Sequence, residues 1–170
     1  MQIKKIWKSN HQYTLQEIVG LIHKIAFYSR DPHTKVGCAI INKKSNILIM
    51  GYNDYPHNLK EIKPSLFERP EKYYWVEHAE RNTIYLAGRK GIKLQNSIIV
   101  QNLFPCTDCA RAIIQTGISK VITYNPLNKN PEFHQESLIR WQKNMEKSLE
   151  MLIANKVQVE YIEDLFKNKK

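Results

Sequence analysis

At 170 residues, 42% apolar and 25% charged, the chain is long enough for one domain with a packed core and too short for two of ordinary size. This composition excludes a disordered class, and the longest apolar runs, such as Ile98-Ile99-Val100, fall far short of the ~20 residues a membrane helix needs. Most of the formal charge of +10 is terminal, on Lys4, Lys5 and Lys8 at one end and Lys167, Lys169 and Lys170 at the other. A groove for nucleic acid needs clustered charge within the fold, so the pattern disfavours a nucleic-acid partner. It reads as a single domain over residues 1–170 with basic, flexible ends near 1–10 and 167–170. No signal peptide or lipidation motif is evident, so a cytoplasmic protein without a membrane partner is expected.

Helix and strand signals alternate along the chain, which predicts an α/β layered domain. Thr14-Leu15-Gln16-Glu17 has the form of a capping box, and Ile18, Leu21, Ile22 and Ile25 follow at helical spacing. Asp31-Pro32 stops that helix. Val36–Ile41 and Ile47–Tyr52 read as a strand hairpin around the polar turn 42–46. A long polar stretch from Asn53 to Tyr74 carries Pro56, Pro64 and Pro70, a length typical of functional or mobile loops. A second helix is expected from near Glu77 to Ala87, ending at Gly88. Ser97–Gln101 reads as a strand, Cys106–Thr116 as a helix closed by Gly117, and Val121–Tyr124 as another strand. Asn130-Pro131 offers a cap and first-turn proline for an amphipathic helix through Leu138, Trp141, Met145, Leu149 and Leu152. Val157–Ile162 alternates like a final strand. The long helix packs on the sheet or serves a subunit contact.

Three cysteines in such a chain argue against a disulfide framework. Cys38 lies mid-strand among apolar residues and reads as core. Cys106 and Cys109 sit three apart at a predicted helix start, where their sulfurs share one face and the helix dipole favours thiolates. Alone, this CxxC fits a redox pair or half of a structural zinc knuckle. The deciding element is His78-Ala79-Glu80 at the start of the preceding helix. The strand–helix spacing lets two helices start at one sheet edge, joining His78, Cys106 and Cys109 as three ligands for Zn2+. Three protein ligands leave a fourth position for water, the mark of a catalytic rather than a structural site. Two thiolates cancel the ion's charge, so the water needs a nearby base. Glu80 serves as that base, moving a proton to the ring nitrogen and then to the departing amine. The pattern H-x-E…P-C-x-x-C is a zinc-deaminase signature. His33 and His57 read as loop histidines rather than a second metal site.

With these residues in hand, the chain resembles the cytidine and deoxycytidylate deaminase superfamily over roughly residues 15–160, most closely the deoxycytidylate (dCMP) deaminases. The likeness rests on Ser29-Arg30-Asp31-Pro32…Lys35-Val36-Gly37-Cys38-Ala39-Ile40, Gly51-Tyr52-Asn53 with Pro56, Trp75 to Asn82, and Phe104 to Ile114. It implies a three-layer αβα fold with a central mixed sheet of about five strands. It also implies hydrolytic deamination of a small-molecule pyrimidine nucleotide, dCMP to dUMP, and assembly as a homo-oligomer. CMP, 5-methyl-dCMP or a tRNA-type base remain alternatives.

By the same resemblance Asn53 contacts the sugar or base edge and the Ala79 backbone amide meets the pyrimidine carbonyl. Arg30 and Lys35, beside the first strand, are candidates for the 5′-phosphate, with surface cations the alternative. Tyr124 is a further phosphate candidate, with a packed aromatic the alternative. Asn53 also suits a tight turn. Core packing is the expectation for Tyr73, Tyr74 and Trp75. Regulated dCMP deaminases resemble Gly-Tyr-Asn-Gly-x-Pro-x-Gly in a triphosphate-reading loop; here Asp54 and Asn58 replace the later glycines, so strong control by dCTP or dTTP is not expected.

Overall fold

Five short strands form one mixed sheet in the order β2-β1-β3-β4-β5. They are β1 Gly37–Ile41, β2 Ile47–Tyr52, β3 Ile98–Gln101, β4 Lys120–Thr123 and β5 Gln158–Tyr161. β1 runs antiparallel to β2 and to β3, while β3, β4 and β5 are parallel. The helices are α1 Leu15–Ala26, α2 Lys72–Trp75, α3 Ala79–Arg89, α4 Thr107–Gln115, α5 Gln135–Ala154 and α6 Ile162–Lys167. The computed structural model describes residues 6–8, 10–126 and 135–167, of which 135–140 and 167 are described by their backbone alone. Residues 1–5 and 168–170 of the basic ends, and the cap expected at Asn130-Pro131, lie outside the described residues. No helix among the described residues is long and apolar enough to cross a membrane.

The period-two pleat divides β1 between two cores. Cys38 and Ile40 join a cluster with Ala79, Ile84 and Ala87 of α3, Ala110 and Ile113 of α4 and Leu152 of α5. Ala39 and Ile41 join the opposite cluster with Ile18, Val19, Ile22 and Ile25 of α1 and Ile162 of α6. Helices therefore cover both faces, and every residue of β1 is buried, as a doubly covered strand requires. This is the expected three-layer αβα architecture. The Thr14 capping box is formed: Glu17 N–H donates to Thr14 Oγ1 at 3.2 Å and Thr14 N–H to Glu17 Oε2 at 2.8 Å.

Several expectations shift in detail. The last strand ends at Tyr161, and Ile162, expected as its final residue, opens α6. Helical spacing of Ile162, Leu165 and Phe166 lets all three reach the α1 core, which an extended chain does not allow. Gly88 lies inside α3, and the chain reverses instead at Gly91, with φ 63. The stretch 53–74 is built around buried Tyr55, whose hydroxyl donates to the Leu66 carbonyl at 2.9 Å and whose ring meets Phe67 edge-on at 5.7 Å. It contains a 3-10 turn, Pro64–Phe67, and then the single turn of α2. Core packing fails for Tyr73, Tyr74 and Trp75, which are 44%, 79% and 39% exposed. A one-turn helix has one inward position, and Lys72 takes it, drawn to a buried carboxylate.

Two glycines set how closely the layers approach. A Cβ on Gly37 would stand 1.9 Å from the Ile22 carbonyl oxygen of α1, and one on Gly51 2.4 Å from Thr83 Oγ1 of α3. Gly37→Ala therefore forces α1 off the sheet and is expected to cost about 1–3 kcal/mol or more in urea unfolding. Gly20→Ala, in exposed helix with nothing within 4 Å of the new carbon, should instead stabilise by about 0.5–1 kcal/mol.

Candidate metal centre and cavity

Strand register brings the relevant chain ends level. Cys38 of β1 pairs with Gly51 of β2 on one side and Gln101 of β3 on the other, so the C-terminal ends of β2 and β3 share one sheet edge. α4 starts just past β3. α3 is drawn to the same edge by a short antiparallel bridge between Asp54 and Glu77, with N–H to O distances of 3.1 and 2.8 Å. Asn82 of α3 also donates to the Tyr52 carbonyl at 2.7 Å. His78 and Cys106 are the N-cap residues of α3 and α4, both extended in backbone, and Cys109 lies on the first turn of α4. Two helix N-termini thus meet where anionic sulfur is favoured.

His78 Nδ1 lies 3.4 Å from Cys106 Sγ and 3.6 Å from Cys109 Sγ. All three donor atoms fall within 4.8 Å of one another. Tetrahedral zinc with ordinary Zn–N and Zn–S bonds separates its nitrogen and sulfur ligands by about 3.5 Å. The nitrogen–sulfur–sulfur set therefore fits the ion in both chemistry and spacing. A hydrogen bond from the Cys109 thiol and the nearby His78 ring hold the Cys106 thiol well below the usual thiol range, and the shared proton pushes Cys109 up. Burial alone lowers the His78 ring, but its bond to Cys106 and the charge of Glu80 raise it overall.

Glu80, 3% exposed, stands beside this group, and burial pushes its carboxyl up to about 7. A carboxyl poised near neutrality is suited to both taking and giving a proton. Arg81, which sequence reasoning passed over, ties the two helix starts together: its guanidinium reaches Glu77 at 2.5 Å and Asp108 of α4 at 3.2 Å. Burial opposes its charge, but Glu77 and the two cysteines raise it well above the usual range. Cys38 is fully buried on β1, with burial raising its thiol, and takes no part in the donor group. His33 and His57 are exposed.

A cavity of about 150 Å³ opens above these donors. His78, Ala79, Glu80 and Cys106 line it, as do Asn53 and Asp31. Asn53 is committed to holding the loop before β1: its Oδ1 accepts from Val36 N–H at 2.8 Å and its Nδ2 donates to the Thr34 carbonyl at 2.9 Å. It shapes the wall as a turn residue while still facing the cavity. Arg30, Lys35 and Tyr124 are not among the lining residues. Arg30 bonds Asp54 at 2.8 Å and the Leu59 carbonyl, pinning the 54–59 loop. Lys35 caps the Ser29 carbonyl. Tyr124 packs with the α1 core, its hydroxyl 3.2 Å from His23 Nε2, on the sheet face away from the metal donors. Arg30 and Lys35 flank the loop entering β1, but their partners turn them from the cavity.

Other lining residues were not legible as such. Lys72 and Arg69 come from the 53–76 stretch, where no period marks a face. Trp141 and Met145 of α5 also line the cavity, and Asn144 between them accepts from the Thr107 N–H at 2.9 Å, capping α4. The α5 spacing signalled an apolar face but not that Trp141 and Met145 on it line a cavity.

Comparison with known proteins agrees with this geometry. The model of the cytidine and deoxycytidylate deaminase zinc-binding region matches residues 8–125. A protein of Aliivibrio fischeri described as an uncharacterized deaminase in the luxG 3′ region is 36% identical over 150 residues, 88% of this chain and 90% of that one. The deoxycytidylate deaminase of Homo sapiens is 34% identical over 99 residues, 55% of this chain and 54% of that one. The chain thus spans about half the length of that relative. A dCMP deaminase from the cyanophage S-TIM5 shares the fold, with a TM-score of 0.64 at 19% identity, covering 95% of this chain and 100% of that one. A zinc-compatible donor set at two converging helix starts, within a family match covering most of the described fold, leads to one conclusion: the chain belongs to the zinc-dependent cytidine and deoxycytidylate deaminase family.

Proposed function

We propose that this chain converts dCMP to dUMP and ammonia by hydrolysis, acting in the cytoplasm as a homo-oligomer. The observation that carries this reading is the joining of His78, Cys106 and Cys109 into one donor group, with His78, Cys106 and buried Glu80 lining one cavity. A relative named deoxycytidylate deaminase at 34% identity, and one named probable deoxycytidylate deaminase at 38%, support the mononucleotide. Exposed Phe27, Tyr74 and Tyr85 support assembly.

His78, Cys106 and Cys109 would hold zinc, which would supply Lewis acidity toward water at neutral pH. Glu80 takes a proton from the attacking water and delivers it to the ring nitrogen beside the amino-bearing carbon. It then takes the second proton and gives it to the departing amine, so water is consumed and ammonia released with no net change in Glu80. Its burial keeps solvent from competing for either proton. The Ala79 backbone N–H, at the start of α3 and on the cavity wall, meets the pyrimidine carbonyl. Asn53 positions the loop against which the sugar rests.

Ammonia release from dCMP by the zinc-loaded chain is expected, and Glu80→Gln should lower kcat by about 10²-fold or more while zinc stays bound. A zinc-loaded chain inactive on dCMP overturns the assignment. Thiol titration gives a second check: the native protein should expose two reactive thiols, Cys106 and Cys109, only after chelation, and a third, Cys38, only on unfolding. Free thiols in the zinc-loaded protein exclude the ligand set. Added dCTP should leave the rate unchanged, since Asp54 is bridged to Glu77 and paired with Arg30 where close backbone approach to a phosphate is needed. Activation by dCTP sinks that expectation.

A further inference from the structure

The substrate proposed above carries a dianionic phosphate, yet Arg30, Lys35 and Tyr124 are engaged away from the cavity. Two other cations line it, Arg69 and Lys72, both from the segment that leads into α3. Lys72 is sunk in the wall, its ammonium 2.8 and 3.0 Å from the two oxygens of Asp31, with side chains 7% and 1% exposed. Asp31 is saturated, also accepting from the backbone N–H of His33 at 2.9 Å and of Thr34 at 3.2 Å. Its charge is therefore cancelled inside the cavity and its oxygens are spent. An ammonium has three donors, so Lys72 keeps one beyond those used on Asp31.

Arg69 is different. It is exposed at the cavity wall, and among the described residues no carboxylate lies within ion-pair distance of it. Its guanidinium rests 5.8 Å from the centre of the Tyr73 ring, which also lines the cavity and orients the planar fork. His78, Ala79, Glu80 and Cys106 line the same cavity, so a nucleotide that sets its base against them leaves its phosphate for the cations of the lining.

The geometry points to Arg69 as the residue that selects a 5′-phosphorylated substrate, its guanidinium taking two phosphate oxygens with Lys72 beside it as a fixed, half-neutralised second cation. This rests on the deaminase reading above. A planar fork matches two phosphate oxygens at once, and a charge-assisted pair of this kind discriminates strongly against the uncharged nucleoside. The Asp31–Lys72 pair sets the wall in place; Arg69 supplies the uncompensated charge.

Removing Lys72 strands a buried carboxylate and endangers folding, so the test uses exposed Arg69. Steady-state kinetics of the zinc-loaded chain on dCMP and on deoxycytidine should show that Arg69→Ala raises KM for dCMP at least tenfold, with kcat within twofold. KM for deoxycytidine should not move. Arg69→Lys should recover part of the loss, and Arg89→Ala, which removes an exposed cation at the far end of α3, should change neither value. Added salt should raise KM for dCMP more in the wild type than in Arg69→Ala. An unchanged KM for dCMP, or an equal rise for both substrates, overturns the role of Arg69 while leaving the deaminase reading intact. A wild type that deaminates neither substrate overturns both.

Discussion

Three donor atoms must converge within reach of one ion, and the sheet register makes that possible. Cys38 pairs on both sides at one level, so β2 and β3 end together, and the helices that follow begin side by side. His78 then reaches the two sulfurs at 3.4 and 3.6 Å from the N-cap of a neighbouring helix. A slip of one residue in either pairing reverses the faces of a strand and moves the next helix start off the edge. The glycines at 37 and 51 serve the same end, since they let helices on both faces pack close enough to fix that edge.

Charge balance follows from the same convergence. Two sulfurs and the Glu80 carboxyl crowd a buried space, and Arg81 answers them from the side while binding Glu77 and Asp108. Helix N-termini add partial positive charge from below. Away from the donors, the charge of Asp31 is balanced by Lys72, and the loop carrying Asp31 is locked by Asn53. Such a pair contributes little net stability but holds a wall in one arrangement, because breaking it leaves a charge without water or partner.

The C-terminal half of the chain completes the cavity rather than merely covering the sheet. Asn144 caps the helix that carries both cysteines, and Trp141 and Met145 close the space above them. Leu152, two turns on, is fully buried in the core beneath. One helix therefore links core packing to the shape of the site.

The pattern His78-Ala79-Glu80 with Pro105-Cys106-Thr107-Asp108-Cys109 determined the metal chemistry by itself, because ligand type and local spacing are written in consecutive residues. Hydrophobic periodicity likewise determined the layers, the hairpin and most helices, since burial of one face demands it. What only the tertiary structure decided was where long polar side chains point. Arg30 and Lys35 looked like phosphate ligands in the chain, yet Asp54 and the Ser29 carbonyl hold them. Lys72 stands before three aromatics expected to pack in the core, yet a buried aspartate 41 residues earlier draws the lysine inward and leaves the rings outside. A flexible cation has no period and follows its nearest anion, and that partner is fixed by contacts distant in sequence.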